Sequence, residues 1–529
     1  MIYEELAEVV RLAVKNQYQL DVETPKIERP ERGFGDFTTN VAFRLAGQLK
    51  LPPQRVAEEL AAGLVGGLVE RAEAAGAGFI NLWLSNEYWC ARLAEFNTGY
   101  GASEFGAGRK LQVEFISANP TGPLTIGNAR GGFIGDVLTR VLKRVGYDAR
   151  SEYYFNDAGT QVGKLLESVK MEAGIVPETE ERQYRGDYIK ALAEKFADDL
   201  KTKSDDELKP LLTGEVVATY IKPAVAKMGI EFDVWFNETE IINDGTFDKV
   251  MAKLKDLGLI FERDGAVWLK TADLGDERGE RVIVKSNGDP TYLAPDIAYH
   301  ENIFGKRGFD GAIKVLGPDH IAQFPSVYAA VHALHPDKEF KMVSYQWLRV
   351  IRDGVEVKVS KRLGQFITIS DLIDQVGMPI ARFLTLMRSA DSHMDFDLDL
   401  AREQSAKNPY YYVMYSYARA NSVLEKAAEA GLKAAAGEFK LNEPQRELVM
   451  LANSLPTLLE EMAVSYEVHK LIFFGLEMSK LFTEYYESTR IIGLPKEQAE
   501  KELFFVARFI DVMDVYWQLL GIEPQKQMR

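Results

Sequence analysis

The amino-acid sequence predicts an α/β protein, with a parallel-sheet core preceded by a smaller α+β region and followed by an all-helical one. Residues 111–146, LQVEFISANPTGPLTIGNARGGFIGDVLTRVLKRVG, read as strand, Pro/Gly-rich turn and long helix, which is how a parallel sheet presents ligand-binding groups at its strand ends. From Asn408 onward strand signals stop, and apolar residues recur at helical spacing over 411–428, 447–462, 471–492 and 503–520. The 529 residues are 46% hydrophobic, enough for packed cores in roughly three or four domains.

The first region, 1–107, opens on an amphipathic helix marked by Leu6, Val9, Val10, Ala13 and Val14. A helical run is expected over 40–65 and a strand over 78–84, and a Gly-rich linker, 99–108, leads onward. The second region, 108–400, holds the strand in which Leu111, Val113 and Phe115 alternate with Gln112 and Glu114. In its helix Ile134, Val137, Leu138, Val141, Leu142 and Val145 share one face, and a strand at 151–156 completes a βαβ unit. A charged, largely helical insertion is expected at 165–259, its charge forming a solvated face. The third region, 401–529, is the helical bundle.

In the turn Asn119-Pro120-Thr121-Gly122-Pro123-Leu124-Thr125-Ile126-Gly127-Asn128, small residues let backbone N–H groups and short polar side chains approach an anion at a positive helix end. That suits a nucleotide. Further on, Asp353-Gly354 reads as a hairpin turn followed by Lys358-Val359-Ser360-Lys361, two lysines able to act as mobile charges on departing phosphates. Tyr292 and Asp296, four apart across a helix start, place a phenol beside a carboxylate. Such a pair can clamp a guanidinium, whose planar fork demands acceptors in fixed directions. Taken alone, Asp296 reads equally as a first-turn acid stabilised by the helix dipole, and Glu238 as an exposed acid. The run 408–419 carries five tyrosines and Arg419 at helical spacing; those not facing the core could stack unpaired bases.

A net charge of −16 argues against nonspecific nucleic-acid binding, and residues 408–529 are themselves slightly acidic, with 13 Lys and Arg against 17 Asp and Glu. Any recognition there must rest on stacking and selected arginines. The single cysteine, Cys90, excludes an internal disulfide, and six scattered histidines argue against a zinc site. No apolar run approaches the roughly 18 residues needed to cross a bilayer, so a cytoplasmic protein with no membrane partner is expected.

Residues 120–128 resemble the first signature of the class I aminoacyl-tRNA synthetases, and 117–124 is similar to the form found in arginyl-tRNA synthetases. That signature usually ends His-x-Gly-His; here Thr125 and Asn128 stand at the two histidine positions. Both can hydrogen-bond phosphate, and neither can carry an imidazolium charge. The Lys358–Lys361 loop resembles the second signature, with Val359 for Met and Arg362 for the final Ser.

This resemblance implies a Rossmann-type catalytic domain, an N-terminal tRNA-elbow domain and an anticodon-binding bundle. It implies catalytic roles for Thr125, Asn128, Lys358 and Lys361, and arginine contacts from Glu114, Asn119, Glu238, Tyr292, Asp296 and Gln323. ATP would meet Pro120, Thr121, Gly122, Pro123, Thr125, Gly127, Asn128, His320, Lys358, Ser360 and Lys361. The tRNA would meet Tyr412, Arg419 and Met528. The expected partners are ATP with Mg²⁺, L-arginine and tRNA(Arg), with no protein-held metal and a monomeric chain. Two other readings stay open: a catalytically silent tRNA-binding paralogue, prompted by Thr125 and Asn128, and another class I synthetase or an adenylyltransferase.

Overall fold

A computed structural model of the chain describes residues 2–31, 33–157, 159–276, 279–357 and 368–528, with the side chains of Asp273 and His320 left out. The chain divides into two compact units: Met1–Thr98 with Ala420–Asn453 and Lys480–Val512, and Gly99–Arg419 with Ser454–Ser479 and Met513–Arg529.

In the first unit, helix α1 (Ile2–Tyr18) buries Leu6, Val10 and Val14 of the predicted stripe together with Ile2 and Ala7, while Val9 and Ala13 are half-buried. Strands β1 (Ile27–Glu28), β2 (Phe37–Thr39), β3 (Val69–Ala75) and β4 (Phe79–Leu84) form an antiparallel sheet in the order β1-β2-β4-β3. The helical run expected over 40–65 is broken into α2 (Val41–Leu49) and α3 (Pro53–Leu64). Lys50 turns left-handed at φ 54°, and the Pro52-Pro53 pair disfavours helical backbone in the residue before each proline. Helix α4 (Asn86–Glu95) begins at a Ser85 cap, and its Asn86 amide donates to the Phe439 carbonyl at 2.7 Å. Arg29 pairs with Glu447 at 2.5 Å within the same unit.

The second unit is organised by five parallel strands: β5 (Lys110–Glu114), β6 (Asp148–Phe155), β7 (Val234–Asn237), β11 (Gly311–Leu316) and β12 (Glu339–Ser344). Their order, β12-β11-β5-β6-β7, reverses direction of winding between β5 and β11. In open α/β sheets ligands bind outside the strand ends at this reversal. Helix α5 (Ile126–Arg144) follows β5 and is buried along much of its length. The predicted alternation of β5 is not a one-sided pattern: Gln112 and Glu114 are as buried as Leu111 and Val113, because a central parallel strand is covered on both faces.

Antiparallel strands β8 (Ile260–Arg263), β9 (Ala266–Leu269) and β10 (Arg281–Val284) form a small sheet ahead of helix Leu293–Glu301. A core of Tyr154, Phe236, Leu269, Ile283, Ile297 and Phe340 joins it to the main sheet. β13 (Leu348–Arg352) and β14 (Val355–Glu356) form the expected hairpin, with Asp353 and Gly354 at φ 51° and 73°, and β15 (Met394–Asp397) pairs parallel to β13. Positive φ at both central positions is what a tight two-residue hairpin turn requires.

Two expectations change. The stretch 165–259 is helical only in part, since β7 within it is the edge strand of the main sheet. The periodic stretch 447–462 is divided into helices Glu443–Asn453 and Leu455–Ser465, with Pro456 opening the second. The remaining long helices are Pro409–Glu429, His469–Ser488 and Lys496–Leu520.

Candidate active site

A cavity of about 1200 Å³ opens where β5, β11 and β7 end, lined among others by Glu114, Asn119, Thr121, Gly122, Thr125, Asn128, Glu238, Tyr292, Asp296, Lys314 and Gln323. One wall is the segment between β5 and α5. Ile116 and Ser117 take left-handed backbone, φ 66° and 39°, and the Ser117 N–H closes a three-residue turn onto the Phe115 carbonyl at 2.9 Å. Such turns are strained for a β-branched residue and persist only where neighbours over-determine them. Here three tyrosines do so. The Tyr154 backbone N–H donates to Ser117 Oγ at 3.2 Å, the Tyr153 hydroxyl to the Ala118 carbonyl at 3.0 Å, and the Tyr188 hydroxyl to the Thr121 carbonyl at 3.2 Å.

Close approach explains two of the glycines. A Cβ on Gly122 would stand 3.1 Å from the Tyr188 ring, and one on Gly127 3.2 Å from Trp347. Thr125 is the residue before α5, and Asn128 lies one turn in. Asn128 Oδ1 accepts from both the Thr125 N–H and its Oγ–H, each at 3.0 Å. The pair standing at the two histidine positions therefore caps α5, and among the described residues no acceptor is bonded to the amide Nδ2 of Asn128.

The opposite wall is charged. Glu114, at the end of β5, is the register partner of Lys314 within β11, and helix Leu293–Glu301 brings Asp296 above them. Lys314 Nζ lies 3.3 Å from Glu114 Oε2 and 3.0 Å from Asp296 Oδ1, and 5.4 Å from the centre of the Tyr299 ring. Burial works against the Lys314 charge, but Asp296 and Glu114 outweigh it and hold the ammonium above the ordinary lysine range. Burial pushes the Glu114 carboxyl up, opposed by Lys314 and reinforced by Asp296. Glu238, directly after β7, is 6% exposed and accepts from the Tyr154 hydroxyl at 2.6 Å. Burial raises it to about 7, against the bond from Tyr154. Tyr292, at the N-terminus of the Asp296 helix, is 44% exposed on the cavity rim.

The structure thus brings together Glu114, Asn119, Glu238, Tyr292, Asp296 and Gln323, and sets Thr121, Gly122, Pro123, Thr125 and Asn128 along the same cavity. Asn119 donates to Gln161 at 2.9 Å. His320 lies in the helical turn Pro318–Ile321, and its side chain is outside the described residues, as are Lys358, Ser360 and Lys361 entirely. In helix Pro409–Glu429, Tyr412 is half-buried and Arg419 exposed, whereas Tyr410 and Tyr417 are buried; Met528 is half-buried. Sequence reasoning passed over Lys314, Tyr154 and Tyr188. For Lys314 a signal existed: a lysine inside the apolar run Ala312-Ile313-Lys314-Val315-Leu316.

A reversed parallel sheet whose signature turn faces a charged cavity defines a class I aminoacyl-tRNA synthetase catalytic domain. A model of that domain, "tRNA synthetases class I (R), catalytic domain", matches residues 97–392. "Arginyl tRNA synthetase N terminal domain" matches 2–84, and "DALR anticodon binding domain" matches 413–528. The arginine--tRNA ligase of Desulfotalea psychrophila is 39% identical over 96% of this chain and 94% of that protein, and that of Bacillus subtilis is 35% identical over the same shares. The solved arginyl-tRNA synthetase of Thermus thermophilus, 21% identical, shares the fold at a TM-score of 0.73 over all of both chains. The chain belongs to the arginyl-tRNA synthetase family.

Proposed function

We propose that this chain activates L-arginine with ATP and passes the arginyl group to the 3′-terminal adenosine of tRNA(Arg). The observation that carries this is the convergence of Glu238, Asp296 and Tyr292 on one cavity with the capped turn at Thr125–Asn128. Glu238, Asp296 and Tyr292 receive the guanidinium, with Glu114 beside them. Asn119 and Gln323 hold the α-ammonium and α-carboxylate. Pro120, Thr121, Gly122, Pro123, Gly127 and the caps of α5 seat the nucleotide, whose phosphates face the positive end of a helix.

Held this way, the arginine carboxylate attacks the α-phosphorus of ATP in line. The P–O bond to pyrophosphate breaks, leaving arginyl-adenylate. Lys358 and Lys361 take up charge on the leaving phosphates in this reading, with Ser360 and His320 beside the nucleotide. No proton transfer is needed, so the chain works by positioning and electrostatics. Mg²⁺ would come with the ATP phosphates and supply positive charge there. The ribose 2′-hydroxyl of the tRNA then attacks the arginyl carbonyl carbon, the anhydride C–O bond to phosphate breaks, and the hydroxyl proton leaves with the departing AMP.

Region 1–107 contacts the tRNA elbow and region 401–529 the anticodon, through Tyr412, Arg419 and Met528, in a monomeric cytoplasmic enzyme. Pyrophosphate exchange with a panel of amino acids, with and without tRNA, tests the reading. Arginine-dependent exchange is expected when tRNA is present. Exchange with another amino acid alone, or none under either condition, overturns it, the latter favouring a tRNA-binding protein.

A further inference from the structure

Lys314 lines the cavity at its carboxylates and carries no role in the reaction proposed above. It is a cation inside the very cluster of carboxylates that would receive a cationic substrate, only 7% exposed, and paired to Glu114 on one side and Asp296 on the other. We propose that Lys314 is a specificity-determining residue: its ammonium pre-occupies the slot between Glu114 and Asp296, so that a substrate ending in a single ammonium is refused and one ending in a guanidinium is accepted. This deepens the arginine reading of the cavity and rests on it.

The discrimination lies in the acceptors. Lys314 binds Asp296 at Oδ1, and Tyr154 binds Glu238 at Oε2. Among the described residues no donor is bonded to Asp296 Oδ2 or Glu238 Oε1, and both residues line the cavity. Glu114 Oε2, 3.3 Å from Lys314 Nζ, likewise has no hydrogen-bond donor among the described residues, so the chain leaves a ligand acceptors on Asp296 and Glu238 outside the Lys314 slot, with the Tyr292 hydroxyl on the rim. A guanidinium has five N–H donors in a planar fork and spreads its charge over three nitrogens, so it can reach acceptors on both carboxylates at once. A free ammonium is a compact, strongly hydrated charge whose best position is between two carboxylates, and in the Glu114–Asp296 slot it meets a like charge already fixed by the fold. The ammonium that fills the slot is delivered by strand register, since Lys314 and Glu114 are direct partners across the reversal of the sheet.

The test measures kcat/KM for arginine and for lysine by pyrophosphate exchange with tRNA present, in the unaltered protein and in Lys314→Ala. Vacating the slot is expected to lower the arginine-to-lysine ratio at least about tenfold, with lysine use rising in absolute terms. Added n-propylammonium should restore the ratio and tetramethylammonium should not, a rescue that a merely structural ion pair would not show. An unchanged ratio in a folded variant, or a parallel loss for both amino acids without rescue, overturns the proposal. Where Lys314→Ala does not fold, competition in the unaltered protein decides: n-butylguanidinium should displace arginine at concentrations at least about tenfold lower than n-butylammonium. Equal potency would overturn it. An unaltered protein without arginine-dependent exchange would instead sink the functional reading itself.

Discussion

The two walls of the cavity are made of different materials. Along β7, β11 and helix Leu293–Glu301 the lining groups are charged and committed to one another: Lys314 to Glu114 and Asp296, Glu238 to Tyr154. Along 116–128 they are short and neutral, and shape comes from backbone: the left-handed pair at Ile116 and Ser117, and glycines pressed by Tyr188 and Trp347. The contrast fits the ligand proposed for each wall. A cation read by geometry needs buried acceptors in fixed places, and buried charge survives only when paired. A phosphate chain needs close approach and N–H donors, which bulky or charged side chains obstruct.

If the division is real, damage to one wall leaves the other working. The largest effect is expected for Asp296→Ala, which strips Lys314 of one partner and the guanidinium of an acceptor. Transition-state stabilisation for arginine should fall by about 3 kcal/mol, roughly a hundredfold in kcat/KM, while the KM for ATP stays within about twofold. Initial rates varied in both substrates read this directly, and equal losses for the two would erase the distinction. Gly122→Val should do the converse. Its side chain collides with the buried Tyr188, whose hydroxyl holds Thr121, and the overpacking should cost about 2 kcal/mol, appearing in the KM for ATP and sparing arginine.

A pH profile sharpens the charged wall. Glu238, raised to about 7 by burial, holds a proton below that pH in the free protein. Guanidinium binding favours the carboxylate, so arginine binding expels the proton. The KM for arginine should then fall about tenfold as pH rises from 6 to 8, the guanidinium staying charged throughout. Glu238→Gln should bind arginine more weakly and show no such slope. For stability the sign is opposite: the folded state holds this proton more tightly than the unfolded chain, so Glu238 favours folding below the ordinary carboxyl range. That contribution is lost as pH climbs through about 7. The smallest effect belongs to the neutral wall. Asn128→Ala removes the acceptor of the Thr125 N–H and should loosen the start of α5 by about 1 kcal/mol, read as roughly fivefold faster hydrogen exchange at that amide.

Much of this was legible before any fold was drawn. The strand, turn and helix of 111–146 announce themselves through periodicity and through small residues where the chain must bend, and β5 and α5 lie where that pattern put them. Of the carboxylates, Asp296 with Tyr292 offers a clamp by its spacing, whereas Glu238 is reachable only through resemblance to the arginyl-tRNA synthetases, since in isolation it looks like a surface acid and it is 6% exposed. Reading failed where a distant neighbour decides. β7 was hidden among helices because four residues, Val234 to Asn237, carry too little pattern to declare an edge strand. The prolines at 52, 53 and 456 were present but were overridden by apolar spacing that continued through them.

What the sequence by itself determined is local: most of the helices and strands, and where the chain turns between them. These follow from steric limits and hydrophobic spacing within a few residues, where the chain is its own context. What only the tertiary structure decided is that Glu114, Glu238, Asp296 and Lys314 meet. They come from two strand ends, the interior of a third strand and one helix start, 200 residues apart between the register partners Glu114 and Lys314, and meet because the sheet reverses its winding between β5 and β11. Burial then settles their charge, since only packing removes the water that would otherwise screen one from another.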